Sequence, residues 1–178
     1  MNAFTILLAT PEDVAQIADV MRASTSAIAA SVYNARQVAS ALKYICRPDE
    51  QLIADGTYFV AIDGSEIAGC GGWSRRRKSY SGGAASHGED DLLDPSSEPA
   101  RIRAMFVHPS SGRRGIGRAI LEASERAAAA EGFRTLQLVA MRSAGTLYES
   151  CGYRSLRDSP VTLEDGVILE CTLMEKVL

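Results

Sequence analysis

Along Met105-Phe106-Val107-His108-Pro109-Ser110-Ser111-Gly112-Arg113-Arg114-Gly115-Ile116-Gly117-Arg118-Ala119-Ile120 a hydrophobic strand runs into a proline-stopped turn, and a glycine-rich, doubly basic loop then opens an apolar-striped helix. This pattern suits an anion. The free N–H groups and positive dipole end of a helix N-terminus favour phosphate, and glycines let a ligand approach the backbone. Arg113 and Arg114 add charge. Two common phosphate patterns fail. No Gly-x4-Gly-Lys-Ser/Thr run exists, and after Gly115-Ile116-Gly117 the third small residue of a dinucleotide fingerprint is replaced by Ile120.

Working outward, Arg101 to Val107 reads as a strand with Ile102, Ala104 and Phe106 on one face and Arg103, Met105 and Val107 on the other. Apolar residues on both faces near its end imply a central position. After the loop, Ile116, Ala119, Ile120, Ala123, Ala127 and Ala130 recur at helical spacing until Gly132. Arg134 to Val139 is then expected to lie parallel to the first strand through a right-handed crossover. Beyond it stands Leu147-Tyr148-Glu149-Ser150-Cys151-Gly152-Tyr153.

Together these two segments resemble the GCN5-related N-acetyltransferases, the GNAT family. Its pyrophosphate loop reads Gln/Arg-x-x-Gly-x-Gly/Ala after a strand ending in Val-x-Pro. Val107-His108-Pro109 and Gly115-Ile116-Gly117 match, whereas Gly112 fills the Gln/Arg position and arginine follows at the next two places. The second segment resembles the family's Leu-Tyr-x-x-x-Gly-Phe/Tyr. The resemblance implies an α/β (α+β) fold whose mixed sheet of about six to seven strands splays in a V between the fourth and fifth, flanked by about four helices. It implies acetyl-CoA as co-substrate, with no metal, held by the backbone of Met105, Phe106 and Val107 and by Gly112, Arg113, Arg114, Gly115, Ile116, Gly117 and Arg118. Tyr148 would protonate the departing thiolate, or pack the cofactor. Met141 stands where the family often carries a cofactor-bonding asparagine, so that contact is either missing or supplied by Arg142 or Ser143. Leu136 removes one standard glutamate base.

The rest of the chain suits a single domain over residues 1–178. Phe4 to Leu8 reads as a strand, and Thr10-Pro11-Glu12-Asp13 starts a helix carrying Val14, Ile17, Ala18 and Met21. Ser24 to Tyr33 reads as a polar, alanine-rich connection. Asn34 caps a second helix that Pro48 ends. By the resemblance these helices wall the acceptor site, which makes Ser24, Thr25, Ser26 and Tyr33 candidate substrate contacts. Asp63-Gly64 marks a hairpin. In its second arm Gly69, Gly71 and Gly72 surround Cys70, a sign of a bulge or of a ligand against the backbone. Trp73 closes the arm, at the acceptor pocket or as an anchor in the core. Residues 75–98, with the basic run Arg75 to Lys78 and the acids Glu89, Asp90, Asp91 and Asp94, exceed an ordinary hairpin loop and are expected to form a flexible lid or flap. Tyr153 to Leu156 and Val167 to Leu178 read as the last strands.

A net charge of −3 gives no general attraction to nucleic acid or anionic membrane. No stretch has the length of a membrane span and the N-terminus lacks a signal-peptide pattern, so a cytoplasmic location is expected. Cys46, Cys70, Cys151 and Cys171 are scattered and read as free thiols. The function expected is acetyl transfer to a primary amine of a small molecule, with homodimer formation left open. The rivals are a non-catalytic CoA-binding sensor and a nucleic-acid-binding module using the basic loops.

Overall fold

The computed structural model describes residues 4–29, 31–78 and 91–178. β1 (Thr5–Leu8) is followed by α1 (Val14–Ala29), α2 (Ala35–Tyr44) and α3 (Glu50–Ala54). β2 (Tyr58–Asp63), β3 (Glu66–Ser74) and β4 (Ala100–Val107) come next. Then come α4 (Ile116–Ala130), β5 (Thr135–Met141), α5 (Gly145–Ser150) and β6 (Arg154–Asp158), with β7 (Val161–Thr162), β8 (Ile168–Leu169) and β9 (Cys171–Val177) closing the chain. Seven strands form one mixed sheet in the order β1-β2-β3-β4-β5-β9-β6, while β7 and β8 pair separately.

Local chemistry sets most of these boundaries. The amide of Thr10 donates to the Asp13 carboxylate at 2.7 Å. At α2, Asn34 and Gln37 cap each other reciprocally, with Gln37 N–H donating to Asn34 Oδ1 at 3.0 Å. Gly64, at φ +66°, turns the β2–β3 hairpin. Three expectations change. The Ser24-Thr25-Ser26 stretch belongs to α1, not to a connection, because the helical stripe continues: Met21, Ser24 and Thr25 are all buried. A further helix, α3, starts behind Pro48 with Asp49 accepting from Leu52 N–H. The long final strand breaks at Glu170, and its first part turns back as the β7–β8 hairpin.

That hairpin is docked on α2. Val161, Leu163, Val167 and Leu169 pack against Tyr33, Ala41 and Tyr44. The Tyr33 hydroxyl donates to the Glu170 carbonyl at 2.7 Å, and the Gln37 side chain donates to the Ile168 carbonyl at 2.8 Å.

β4 and β5 lie side by side in parallel, paired at Ala100↔Leu136 and Arg101↔Gln137. Beyond those two registers the strands part, which is the V-shaped opening. α4 packs Ile116 and Ile120 on one sheet face with Ala61 and Ala68, and α1 packs Ile17, Val20 and Met21 on the other with Val60 and Cys70. Close approach explains the glycines of β3. A Cβ on Gly69 would stand 2.7 Å from Ile116 Cγ2, and one on Gly71 2.1 Å from Met105 Sδ. Neighbouring side chains of α4 and β4 fill the space beside these two glycines.

Candidate functional site

The opening starts with a bulge. Register between β3 and β4 shifts between Cys70 and Gly72, opposite Ala104, whose φ is +57°. A non-glycine residue in that region costs about 1–2 kcal/mol, and the Tyr58 hydroxyl holds it by donating to the Ala104 carbonyl at 3.2 Å. The bulge also overturns the simple alternation along β4. Ile102 joins Leu121 and Leu136 on the α4 side, as does Met105, while Ala104 and Phe106 pack with α1. Arg103 turns to the α3 side. There its Nε lies 2.9 Å from Asp49 Oδ2, Nη2 donates to Asp49 Oδ1 at 3.2 Å and Nη1 donates to the Lys78 carbonyl at 2.9 Å. Both charges are more than nine-tenths buried.

Between the parted strands lies a cavity of about 100 Å³. Ala104, Met105 and Phe106 form one wall, Leu138, Val139 and Met141 of β5 the other, and Ala144 and Tyr148 close one side. Met21, Ile45, Ile102, Arg103, Val161 and Cys171 complete it. Tyr148 is 7% exposed and meets the Tyr153 ring edge to face, with centroids 5.9 Å apart. Burial raises its phenol pKa, and the neighbouring Cys151 adds to the rise, so the hydroxyl stays protonated throughout the neutral range.

The predicted anion loop lies at the end of β4. His108 and Ser110 brace the first turn, where His108 Nδ1 is 2.7 Å from Ser110 Oγ. Arg113 (φ +60°) and Gly115 (φ +82°) then bend the chain into α4. Gly115 has no side chain to cap the helix, and Ala119 N–H donates to the Gly115 carbonyl at 2.9 Å as the helix begins. The N–H groups of Ile116, Gly117 and Arg118 therefore lack intrahelical acceptors. A Cβ on Gly117 would come within 3.2 Å of Leu147 Cδ2 and 3.5 Å of Val107 Cγ2, so the loop, β4 and α5 converge there. The arginines divide. Arg114 pairs with Asp63 at 2.5 Å and Arg118 donates to Ser150 at 3.2 Å, whereas Arg113 is exposed and makes no ion pair among the described residues.

Of the residues singled out in the sequence, Met105, Phe106 and Tyr148 thus meet at the cavity, and Val107 with Gly112 to Arg118 forms the adjoining loop. Others go elsewhere. Ser24 and Thr25 are buried, with Thr25 Oγ1 3.0 Å from Cys46 Sγ, and the Tyr33 hydroxyl is committed to Glu170. Ser26 is exposed on α1. Trp73 is a core residue, edge-on to Phe133 at 5.8 Å. The three arginines of the basic run are paired: Arg75 with Glu131 at 2.9 Å, Arg76 with Asp55 at 2.9 Å and Arg77 with Glu98 at 2.5 Å. These arms of the flap pair through Arg76 and Leu92, and Leu93 enters the core. Glu89 and Asp90 lie outside the described residues. All four cysteines are free, and no cluster among the described residues could hold a metal ion. No described helix is long and apolar enough to cross a membrane.

Sequence reasoning missed Asp49, Arg103, Ile45, Val161 and Cys171. Asp49 was legible as a cap after Pro48. Arg103 was misplaced by the bulge, and the others are brought in by long-range packing without a local signal.

The family model described as an acetyltransferase (GNAT) domain matches residues 54–155, more than half of the chain. Similar solved structures include a GCN5-related N-acetyltransferase from Rhodopseudomonas palustris, 23% identical, with a TM-score of 0.75 over 98% of this chain and 95% of that one. The PaiA N-acetyltransferase of Thermoplasma acidophilum, solved with coenzyme A, is 16% identical with a TM-score of 0.68 over 98% and 99%. YncA of Salmonella typhimurium, a putative acetyltransferase solved with acetyl-CoA, is 19% identical with a TM-score of 0.64 over 99% and 95%. No curated protein matches the sequence significantly.

Proposed function

The chain belongs to the GNAT acetyltransferases, and from that premise we propose that it transfers acetyl from acetyl-CoA directly to a primary amine of a small molecule in the cytoplasm. The observation that carries this reading is the β4–β5 seam, which closes at two registers and then opens beside an uncapped helix start. The residues fit the co-substrate. Freed from β5, the backbone of Met105, Phe106 and Val107 offers N–H and C=O groups to an extended amide-bearing arm, as a neighbouring strand would. The N–H groups of Ile116, Gly117 and Arg118, with the exposed Arg113, suit a pyrophosphate. Bound acetyl-CoA supplies an activated thioester.

Tyr148, which lines the cavity, is the group that gives its hydroxyl proton to a departing thiolate in this reading. Its apolar surroundings keep that proton in place until negative charge develops nearby. The walls formed by Leu138, Val139, Met141 and Ala144 exclude water from the reacting atoms. No aspartate, glutamate or histidine lines the cavity among the described residues. An incoming ammonium therefore loses its proton to water at the mouth of the site, and the apolar walls favour its neutral form.

Thermal unfolding with acetyl-CoA, CoA and ATP tests the assignment. Ligand at about a hundred times its Kd stabilises a fold by about 2.7 kcal/mol. We expect a rise in Tm of several degrees with acetyl-CoA and CoA and none with ATP, followed by thiol release when amines are added. A shift without thiol release from any amine would support the CoA-binding sensor instead.

A further inference from the structure

We propose that the acceptor is an amine carried on an uncharged, apolar body, and that an acceptor bearing a second positive charge is disfavoured. The proposal rests on the acetyl-transfer reading and specifies its second substrate.

The cavity has two origins. Its β4, β5 and α5 walls belong to the splayed seam and to Tyr148, whereas Met21 of α1, Ile45 at the end of α2, Val161 of β7 and Cys171 of β9 come from elements outside the seam and the anion loop. This second wall is apolar. The charged side chain among the lining residues is Arg103, already spread over both Asp49 oxygens and the Lys78 carbonyl.

Polar groups close to this wall are also committed. Thr25 faces Cys46, the Tyr33 hydroxyl donates to Glu170, and the Tyr58 hydroxyl donates to Ala104. Burial pushes the Cys171 thiol up to about 11, so it presents no negative charge at neutral pH. A second ammonium entering here would lose its hydration and find no carboxylate among the described lining residues in return, which is costly. An alkyl or aryl group would instead gain by leaving water. The acids at the described base of the flap do not alter this balance: Asp91 and Asp94 are exposed, and Asp94 already accepts from Ser96 and Ser97.

Matched amines decide the question. With saturating acetyl-CoA, thiol release is followed for propylamine to hexylamine and for diamines of matched length, 1,4-diaminobutane and 1,5-diaminopentane. kcat/KM should rise about fourfold per methylene in the monoamine series until the cavity is full. Each diamine should be used at least about tenfold less well than its matched monoamine. Ile45→Glu, at a half-buried position, should narrow that gap; if this variant does not fold, the comparison on the unaltered chain still decides.

Equal or better use of diamines would overturn the proposal. So would a rate that rises with acyl-chain length of the donor rather than with the amine, since the cavity would then serve the donor. A thermal shift with acetyl-CoA but no acetylation of either series also overturns it. Neither a shift nor turnover would instead remove the acetyl-transfer reading beneath it.

Discussion

The closed foot of the β4–β5 seam and its open end are built from the same two strands, yet they use their residues in opposite ways. At the foot, Ala100, Ile102 and Leu136 are almost wholly buried and join Trp73, Leu121 and Phe133 in one core. At the open end the strained Ala104 and the half-buried Met105 and Phe106 face a cavity, and the helix start beyond them is uncapped. Stability is concentrated where the strands pair and ligand capacity where they part. The bulge at Ala104 is the border, and Tyr58 and the Arg103–Asp49 pair hold that border from below.

This contrast can be broken from either side. Leu136→Ala, at the foot, should cost about 2–5 kcal/mol through the cavity it leaves, read by urea denaturation. The open end carries a pH sensitivity instead. Tyr148 and Tyr153 both have raised pKa values, from burial first, with Cys151 and Glu125 respectively adding to the rise. A phenol titrating near 10 when unfolded keeps its proton longer in the native state. Its stabilisation is complete below about pH 10 and is lost as pH rises toward the folded value, by up to about 1.4 kcal/mol per pH unit for each phenol. Denaturation curves between pH 8 and 11.5 should show this slope, and Tyr148→Phe with Tyr153→Phe should flatten it.

Gly115→Ala should be milder, at about 1–2 kcal/mol, because φ is +82° and no neighbour would touch the added Cβ. It should also weaken acetyl-CoA binding in calorimetry. Gly56→Ala, at φ +68° just before β2 and at the opposite end of that strand from Asp63, provides the comparison: similar destabilisation with the same affinity as the unaltered chain. Tyr148→Phe should change stability least, within about 0.5 kcal/mol, since its hydroxyl makes no hydrogen bond among the described residues. It should lower kcat by about 100-fold or more if the phenol is the proton donor, with KM for acetyl-CoA little changed. Equal kcat in the two proteins would leave Tyr148 as packing.

Much of this arrangement was legible locally. The Asp63-Gly64 hairpin, the Asn34 cap, the helix opening at Gly115 and the strand on either side of it all follow from rules acting over a few residues. Other features were not. Ser24 to Ser26 read as a connection because their intrinsic helix propensity is low, and the burial of Ser24 and Thr25, the latter against Cys46, overrode it. The final strand broke at Glu170 because the β7–β8 hairpin gains more by docking on α2 than by extending the sheet.

By itself, the sequence determined the order of strands and helices from β2 to α5, the anion-ready turn and the placement of Tyr148 after it, since these depend on glycine conformations, caps and periodicity within single segments. Only the tertiary structure decided which side of β4 Arg103 takes, where the seam opens and what lines the second wall of the cavity. Those outcomes depend on one unpaired residue in a bulge and on contacts between segments such as Ile45 and Val161, which are far apart in the chain and whose distance no local pattern encodes.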